Sequence, residues 1–176
     1  MRVIAGKHRS RPLAEFKGRD IRPTADRAKE ALFNILQNRI SGCVFLDLYA
    51  GTGGIGIEAI SRGAKKVVFV DMAKESVMLI KRNLEYLKEQ AEVIKSDALS
   101  FVKTSRETFD IIFLDPPYAI DASEVLSEIG KSGILSKDGV IIYERCEKTP
   151  FNAAGLALKD SRRYGVAVFD FYTLEN

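Results

Sequence analysis

Two groups of residues in this 176-residue chain have types and spacing that could do chemistry. The first is Asp115-Pro116-Pro117-Tyr118, which follows the apolar run Phe109 to Leu114. Proline cannot donate to a sheet, so the strand stops there, and the fixed φ of two prolines stiffens the turn. The Asp115 carboxylate and the Pro116 carbonyl then face one small space as paired acceptors, which suits an exocyclic NH2 group. Tyr118 adds a ring on which a base can stack. A rigid loop with a surface aromatic is the plainer reading of the tetrapeptide alone.

The second group is glycine-rich. Gly51, Gly53 and Gly56 match G-x-G-x-x-G after the short apolar run Val44 to Leu48, and a helical segment follows to about Ser61. Strand, glycine turn and helix are half of a nucleotide-binding βαβ unit, in which glycines let a ligand approach the backbone closely. Asp47, inside the apolar run, is a carboxylate that needs a partner when buried. Asp71 ends the next apolar run, Val67 to Val70, 24 residues after Asp47. An acid in that position takes ribose hydroxyls in nucleotide-binding α/β folds. It would also serve as a helix N-cap. Asp97 closes a third run, Ala91 to Lys95, and by itself reads equally well as the cap of a helix from Ala98 to Thr104.

These residues need a parallel sheet with helices between its strands. Val77, Ile80, Leu84 and Leu87 set the inward face of a helix over 74–87. Upstream, Ala28, Ala31, Leu32, Ile35 and Leu36 set that of a helix from Ala25 to Gln37, with Thr24 as N-cap and Asp26 in the first turn. Downstream come a helix over 124–131, a strand over 140–143 after Asp138-Gly139, and an antiparallel hairpin over 156–164 and 166–172. Residues 2–5 and 12–16 suit a small N-terminal hairpin. The expected division is a basic extension over 1–21 and one α/β domain over 22–176.

The net charge of +3 is unevenly distributed. Residues 1–40 hold ten Lys or Arg against four Asp or Glu; the remainder holds 17 against 20. A polyanion-binding arm on an acidic body fits that split, as does a solvated basic surface. His8, the only histidine, lacks a second histidine for a metal site and reads as a phosphate contact or an exposed side chain. Cys43 and Cys146 form neither a disulfide framework nor a metal cluster, and Cys43 reads as a small buried residue. No apolar run reaches the roughly 18 residues of a membrane span, and no signal-peptide core is evident, so the cytoplasm is the expected location.

The glycine loop after Asp47, the strand-end acids Asp71 and Asp97, and Asp115-Pro116-Pro117-Tyr118 resemble the class I S-adenosylmethionine-dependent methyltransferases that act on exocyclic amines. Arg22-Pro23-Thr24-x-Asp26-Arg27, Glu30-Ala31-Leu32-Phe33-Asn34, Asp47-Leu48-x-Ala50-Gly51-Thr52-Gly53 and Ser61-Arg62-Gly63-Ala64 narrow the likeness to the RsmD family. Members often have Phe at the place of Tyr118 and Glu at that of Asp71. The resemblance implies a Rossmann-like three-layer sandwich, with a mostly parallel seven-stranded sheet, an antiparallel last strand and a short N-terminal hairpin. It implies methylation of guanine N2 in bacterial 16S ribosomal RNA, on the small subunit or its precursor, by a monomer without metal. Asp47, Gly51, Thr52, Gly53, Asp71, Asp97 and Ala98 would hold the cofactor, with Asp97 accepting from the adenine amino group. Asp115, Pro116, Pro117 and Tyr118 would hold the acceptor amine. Lys7, Arg9, Arg11 and Arg22 would meet RNA phosphates. The Asp-Pro-Pro-Tyr group does not choose the base, so an adenine-N6 enzyme on DNA or RNA competes. The glycine pattern alone also fits a nicotinamide oxidoreductase, though no hydride-transfer residues accompany it. A non-catalytic RNA-binding module would retain the fold without the amine site.

Overall fold

Short runs rich in β-branched and aromatic residues favour a pleated, buried environment. Here they become β1 (Val44–Leu48), β2 (Lys66–Asp71), β3 (Glu92–Lys95) and β4 (Phe109–Leu114), all parallel. The computed structural model describes residues 1–16, 23–117, 120–146 and 155–175. The remaining strands are β5 (Leu135–Cys146), β6 (Leu156–Tyr164) and β7 (Ala167–Leu174). The sheet order is β3-β2-β1-β4-β5-β7-β6, with β7 antiparallel to both neighbours. This is the mostly parallel sheet expected from the sequence. β5 starts five residues earlier than its apolar run suggests, because Leu135 pairs with Phe109 before the register shifts and Val140 pairs with Ile111.

Helices cover both faces. α1 (Pro23–Ile35), α2 (Gln37–Ile40), α3 (Gly54–Ser61) and α4 (Lys74–Leu87) pack on one side; α5 (Ala98–Thr104) and α6 (Ser123–Ser132) pack on the other. Alternation along the central strands feeds the two cores: Phe45, Phe69 and Phe113 face α1–α4, while Leu46, Val68 and Leu114 face α5 and α6. α1 begins at Pro23, two residues before the expected start, since proline suits a helix's first turn. Thr24 therefore lies within the helix rather than capping it. Within α1 the expected inward period holds for Ala28 and Leu32, and Phe33 is fully buried beside them; Leu36, expected on the same helix, is buried just past its end at Ile35.

The N-terminal segment is bonded to the body along its length. It is a bridged loop rather than two full strands: Arg2 pairs antiparallel with Pro12, and Val3 and Leu13 enter the core on the α1–α4 side. Glu58 of α3 is fully buried and accepts from the Ile4 and Ala5 amides at 2.8 and 3.0 Å. Arg62 donates to Glu58 at 2.7 Å and lies over the Phe33 ring. Buried Lys29 stands 3.8 Å from Glu58 and donates to the Arg2 carbonyl at 2.7 Å. Burial lowers the Lys29 pKa, and the Glu58 charge opposes that shift.

Removing one partner of a buried ionic network strands the others in low dielectric. Glu58→Ala should therefore destabilise the fold by about 3–5 kcal/mol, and Glu58→Gln by less, because an amide oxygen still accepts from Ile4 and Ala5. Urea unfolding measures the loss, and amide exchange should accelerate at Ile4 and Ala5. An alanine variant as stable as the parent would remove Glu58 as the anchor.

Candidate cofactor and amine site

The glycine loop leaves β1 through backbone that few side chains tolerate. Tyr49 has φ 60°, and Gly51 and Gly53 have φ 54° and 78°. Gly56 is needed for space instead: a Cβ there would stand 2.2 Å from the Phe69 ring. Two carboxylates from adjacent strands hold the loop. Asp47, 2% exposed, accepts from the Gly56 amide at 2.9 Å. Asp71 accepts from the Gly51 amide at 2.8 Å with one oxygen and from the Ala73 amide at 2.8 Å with the other. Burial pushes the Asp47 carboxyl well above its ordinary range; the Gly56 bond opposes this, and the charges of Asp115 and Asp71 add to it.

A cavity of about 940 Å³ opens above these strand ends. Of the residues singled out in the sequence, Gly51, Asp71, Asp97, Ala98, Asp115, Pro116 and Pro117 line it. Asp47, Thr52 and Gly53 do not; Asp47 is buried beneath the loop, and within the loop the Thr52 carbonyl accepts from Asn83 at 3.2 Å. Tyr118 and Arg22 lie outside the described residues. Phe16, Tyr49 and Met72 also form the wall and had no spacing signal of their own. The cue for Tyr49 and Met72 is adjacency, since each directly follows the end of a strand.

The acids differ in their surroundings. Asp97 caps α5 by accepting from the Ser100 amide at 2.9 Å, and that bond lowers its pKa. Asp115 is exposed and lines the cavity. The protein around it desolvates the carboxyl and pushes its pKa up to about 6. Glu144, the next residue along β5, is half-buried, and its pKa rises to about 8 through burial and then the Asp115 charge.

The basic segment is more constrained than its composition suggests. Lys7 pairs with Glu89 of α4 at 2.7 Å. His8 meets the same carboxylate at 2.5 Å, and its amide donates to Ser61 Oγ. His8 is thus neither exposed nor set out for phosphate; it pins the loop to α4. Arg9 and Arg11 are exposed. Arg9 lines a groove of about 390 Å³ with Arg2 and Arg27, alongside the acids Asp26 and Glu30. Among the described residues, no group of three His, Cys, Asp or Glu could hold a metal, and no helix is long and apolar enough to cross a membrane. Cys43 is buried, with its thiol pushed up to about 12 by burial.

The donor set fits S-adenosylmethionine. Asp71 and Asp97 are acceptors spaced along the cavity for hydroxyl and amino hydrogens. Tyr49, Val70, Met72 and Leu99 offer apolar surface between them, and the accumulated negative charge favours a sulfonium. Asp71→Ala should weaken cofactor binding by about 1–3 kcal/mol, because both a ligand acceptor and the tie to Gly51 are lost. Calorimetry on the folded variant measures this, and unchanged affinity would remove Asp71 from the site.

The family model described as conserved hypothetical protein 95 matches residues 1–173. Ribosomal RNA small subunit methyltransferase D of Haemophilus influenzae is 40% identical over 153 residues, covering 84% of this chain and 79% of its own. YlbH of Bacillus subtilis is 36% identical over 180 residues and 98% of both chains. The solved structure of yhhF from Escherichia coli superposes with a TM-score of 0.89 at 31% identity, over 99% of this chain and 98% of that one. A Rossmann-like sheet, an Asp-Pro-Pro turn and a glycine loop on one cavity, and these likenesses along the chain agree: it belongs to the RsmD family of methyltransferases.

Proposed function

We propose that this protein methylates the exocyclic N2 amine of a guanine in small-subunit ribosomal RNA, using S-adenosylmethionine. The observation that carries this reading is the shared cavity. Asp115 and Pro116, acceptors suited to an NH2 group, line the same space as Asp71 and Asp97. The Haemophilus influenzae relative's name supports ribosomal RNA as the substrate class.

When bound, S-adenosylmethionine supplies a methyl group already activated on a sulfonium. The chain's residues do the rest by position. Asp71 accepts from the ribose and Asp97 from the adenine amino group. Asp115 and the Pro116 carbonyl accept from the guanine amine hydrogens, which turns the nitrogen lone pair toward the cofactor. After transfer the nitrogen carries an extra proton, and ionised Asp115 takes it. The target base leaves its stack to reach this edge. A small basic surface held on a rigid body makes a modest RNA grip, so the reading extends to a preassembled small subunit as substrate.

Incubation of small-subunit particles with labelled cofactor, followed by digestion to nucleosides, tests the reading. Label in N2-methylguanosine is expected; label only in N6-methyladenosine would overturn it. Asp115 must be ionised to accept. Its raised pKa means the acceptor is present above about pH 6 and lost as pH falls through that value. The single-turnover rate should drop on that acid limb. Asp115→Asn should cost about 10²–10⁴-fold at neutral pH, with cofactor affinity retained. A flat profile through pH 5–7 would remove Asp115 as the proton acceptor.

The phosphate grip falls to Arg9 and Arg11, because Lys7 is engaged with Glu89. Replacing both arginines by alanine should lower the slope of log affinity against log salt by about 0.7–0.9 per lost contact, whereas Lys7→Ala should change it less. Equal slopes for the double variant and the parent would take this surface off the RNA.

A further inference from the structure

The cavity wall carries six Asp or Glu and, among the described residues, no Lys or Arg. An RNA that inserts a base beside Asp115 therefore needs its phosphates held outside the cavity. Lys7 and His8 meet Glu89, just past the end of α4, whereas Ser76 in the first turn of α4 lines the cavity. Ser76 to Glu89 spans roughly 20 Å at about 1.5 Å per residue. The Arg9 and Arg11 amides bond to the Gly6 and His8 carbonyls, so both arginines belong to that far end. They stand too far from the cavity to hold the phosphates nearest the target base.

The residues read as cofactor contacts, Gly51, Asp71 and Asp97, stand at the ends of β1, β2 and β3, which leaves the β5 side of Asp115 for the flanking RNA. Beyond β5 lie β7 and then the edge strand β6. β7 runs antiparallel to both, so the turn from Tyr164 to Ala167 returns to the cavity end of the sheet, where Ala167 pairs with Cys146 and Tyr164. Leu114 pairs with Tyr143, Tyr143 with Asp170 and Asp170 with Ser161. Asp115 and Arg162, each the next residue along, thus stand at one level three strand spacings apart, about 14 Å. Roughly four nucleotides of a stacked strand cover that distance at about 3.4 Å each. Arg162 and Arg163 are exposed, as is Lys159, with Asp160 the one acid among them. Arg162 Nε donates to Asp160 at 2.7 Å, and Arg163 Nε donates to the Gly165 carbonyl at 3.0 Å. An arginine has five N–H donors, so a bond at the inner nitrogen positions the fork and leaves it able to donate to a phosphate. We propose that the β6–β7 turn is the RNA grip on the acceptor side of the site, with Arg162 and Arg163 on phosphates that flank the flipped base. This rests on the ribosomal RNA reading above and adds a second, separate contact to that of Arg9 and Arg11. Charges on an edge strand also deter pairing between copies, and the test separates that role from phosphate binding.

Affinity for small-subunit particles is measured across about 50–200 mM salt for the parent and for Arg162→Ala/Arg163→Ala. The double variant should lower the slope of log affinity against log salt by about 0.7–0.9 for each lost contact. KM for particles should rise. The single-turnover rate at saturating particles and S-adenosylmethionine affinity by calorimetry should match the parent's, because neither arginine touches the amine or the cofactor. Arg162→Lys/Arg163→Lys should keep the slope, since the charge remains. If the alanine pair fails to fold, Arg162→Gln/Arg163→Gln is read in its place. A folded neutral variant with the parent's slope would overturn the proposal, and self-association of that variant would then mark the arginines as guards of the β6 edge. A lower single-turnover rate at an unchanged slope would overturn it as well. A parent enzyme that labels no ribosomal RNA nucleoside would instead bring down the ribosomal RNA reading, and this proposal with it.

Discussion

The site depends on two carboxylates that hold a loop unable to hold itself. Gly51, Gly53, Gly54 and Gly56 have no side chains with which to pack, so their shape needs outside partners. Asp47 takes the Gly56 amide at the start of α3, and Asp71 takes the Gly51 amide one strand away. These bonds set the loop against both β1 and β2. The Gly56–Phe69 contact adds a steric limit, because any Cβ at 56 would push α3 off the sheet. An acid beneath a loop of amides is also favourable electrostatically, since the N-terminal amides of a helix carry partial positive charge.

The N-terminal segment extends the same logic outward. Asn83, 1% exposed, accepts from the Ala14 amide, donates to the Ala14 carbonyl and donates to the Thr52 carbonyl. One side chain of α4 thus joins the segment to the glycine loop. Met1 reaches the same loop, its sulfur accepting from the Thr52 hydroxyl, and its amino group pairs with Glu15. With Glu58 and the His8–Glu89 contact, these bonds make the basic segment part of the wall, and Phe16 carries it to the cavity. Its charge is presented on a surface of fixed shape, which suits phosphates already held in a folded RNA better than a flexible strand.

Elements that announce themselves locally were legible in the sequence. β1 to β4 are apolar runs, α4 has a clean helical period, and the acids at strand ends mark where a cavity must lie. The contacts that unite distant segments were not. Glu58 sits in the apolar stretch Gly54–Ser61, where nothing nearby predicts that residues 4 and 5 will satisfy it. In the sequence Lys7 looks like a solvated cation and His8 like a phosphate contact or an exposed side chain, because Glu89 is 81 or more residues away. Glu144 looks like an ordinary polar residue at a strand end, since its neighbour Asp115 arrives through the sheet order. Ion pairs and shared carboxyl sites across such separations leave no periodic trace.

The sheet order turns scattered acids into a graded edge. From β2 through β1 and β4 to β5, Asp71, Asp47, Asp115 and Glu144 occupy successive strands near their C-terminal ends. Their environments separate their roles. Asp71 has both oxygens on backbone amides, so it organises the loop while retaining lone pairs toward the cavity. Asp47 is sealed from solvent and bonded to Gly56, which keeps it structural. Asp115 opens on the cavity with a pKa near the range where a carboxyl can gain and lose a proton in turnover. Glu144 holds its proton more tightly because Asp115 ionises beside it. The Asp71 carboxylate at one end of this edge favours a cationic cofactor. Asp115 and Pro116 line the same cavity from the end of β4, so a pair of acceptors and the glycine loop meet across one space.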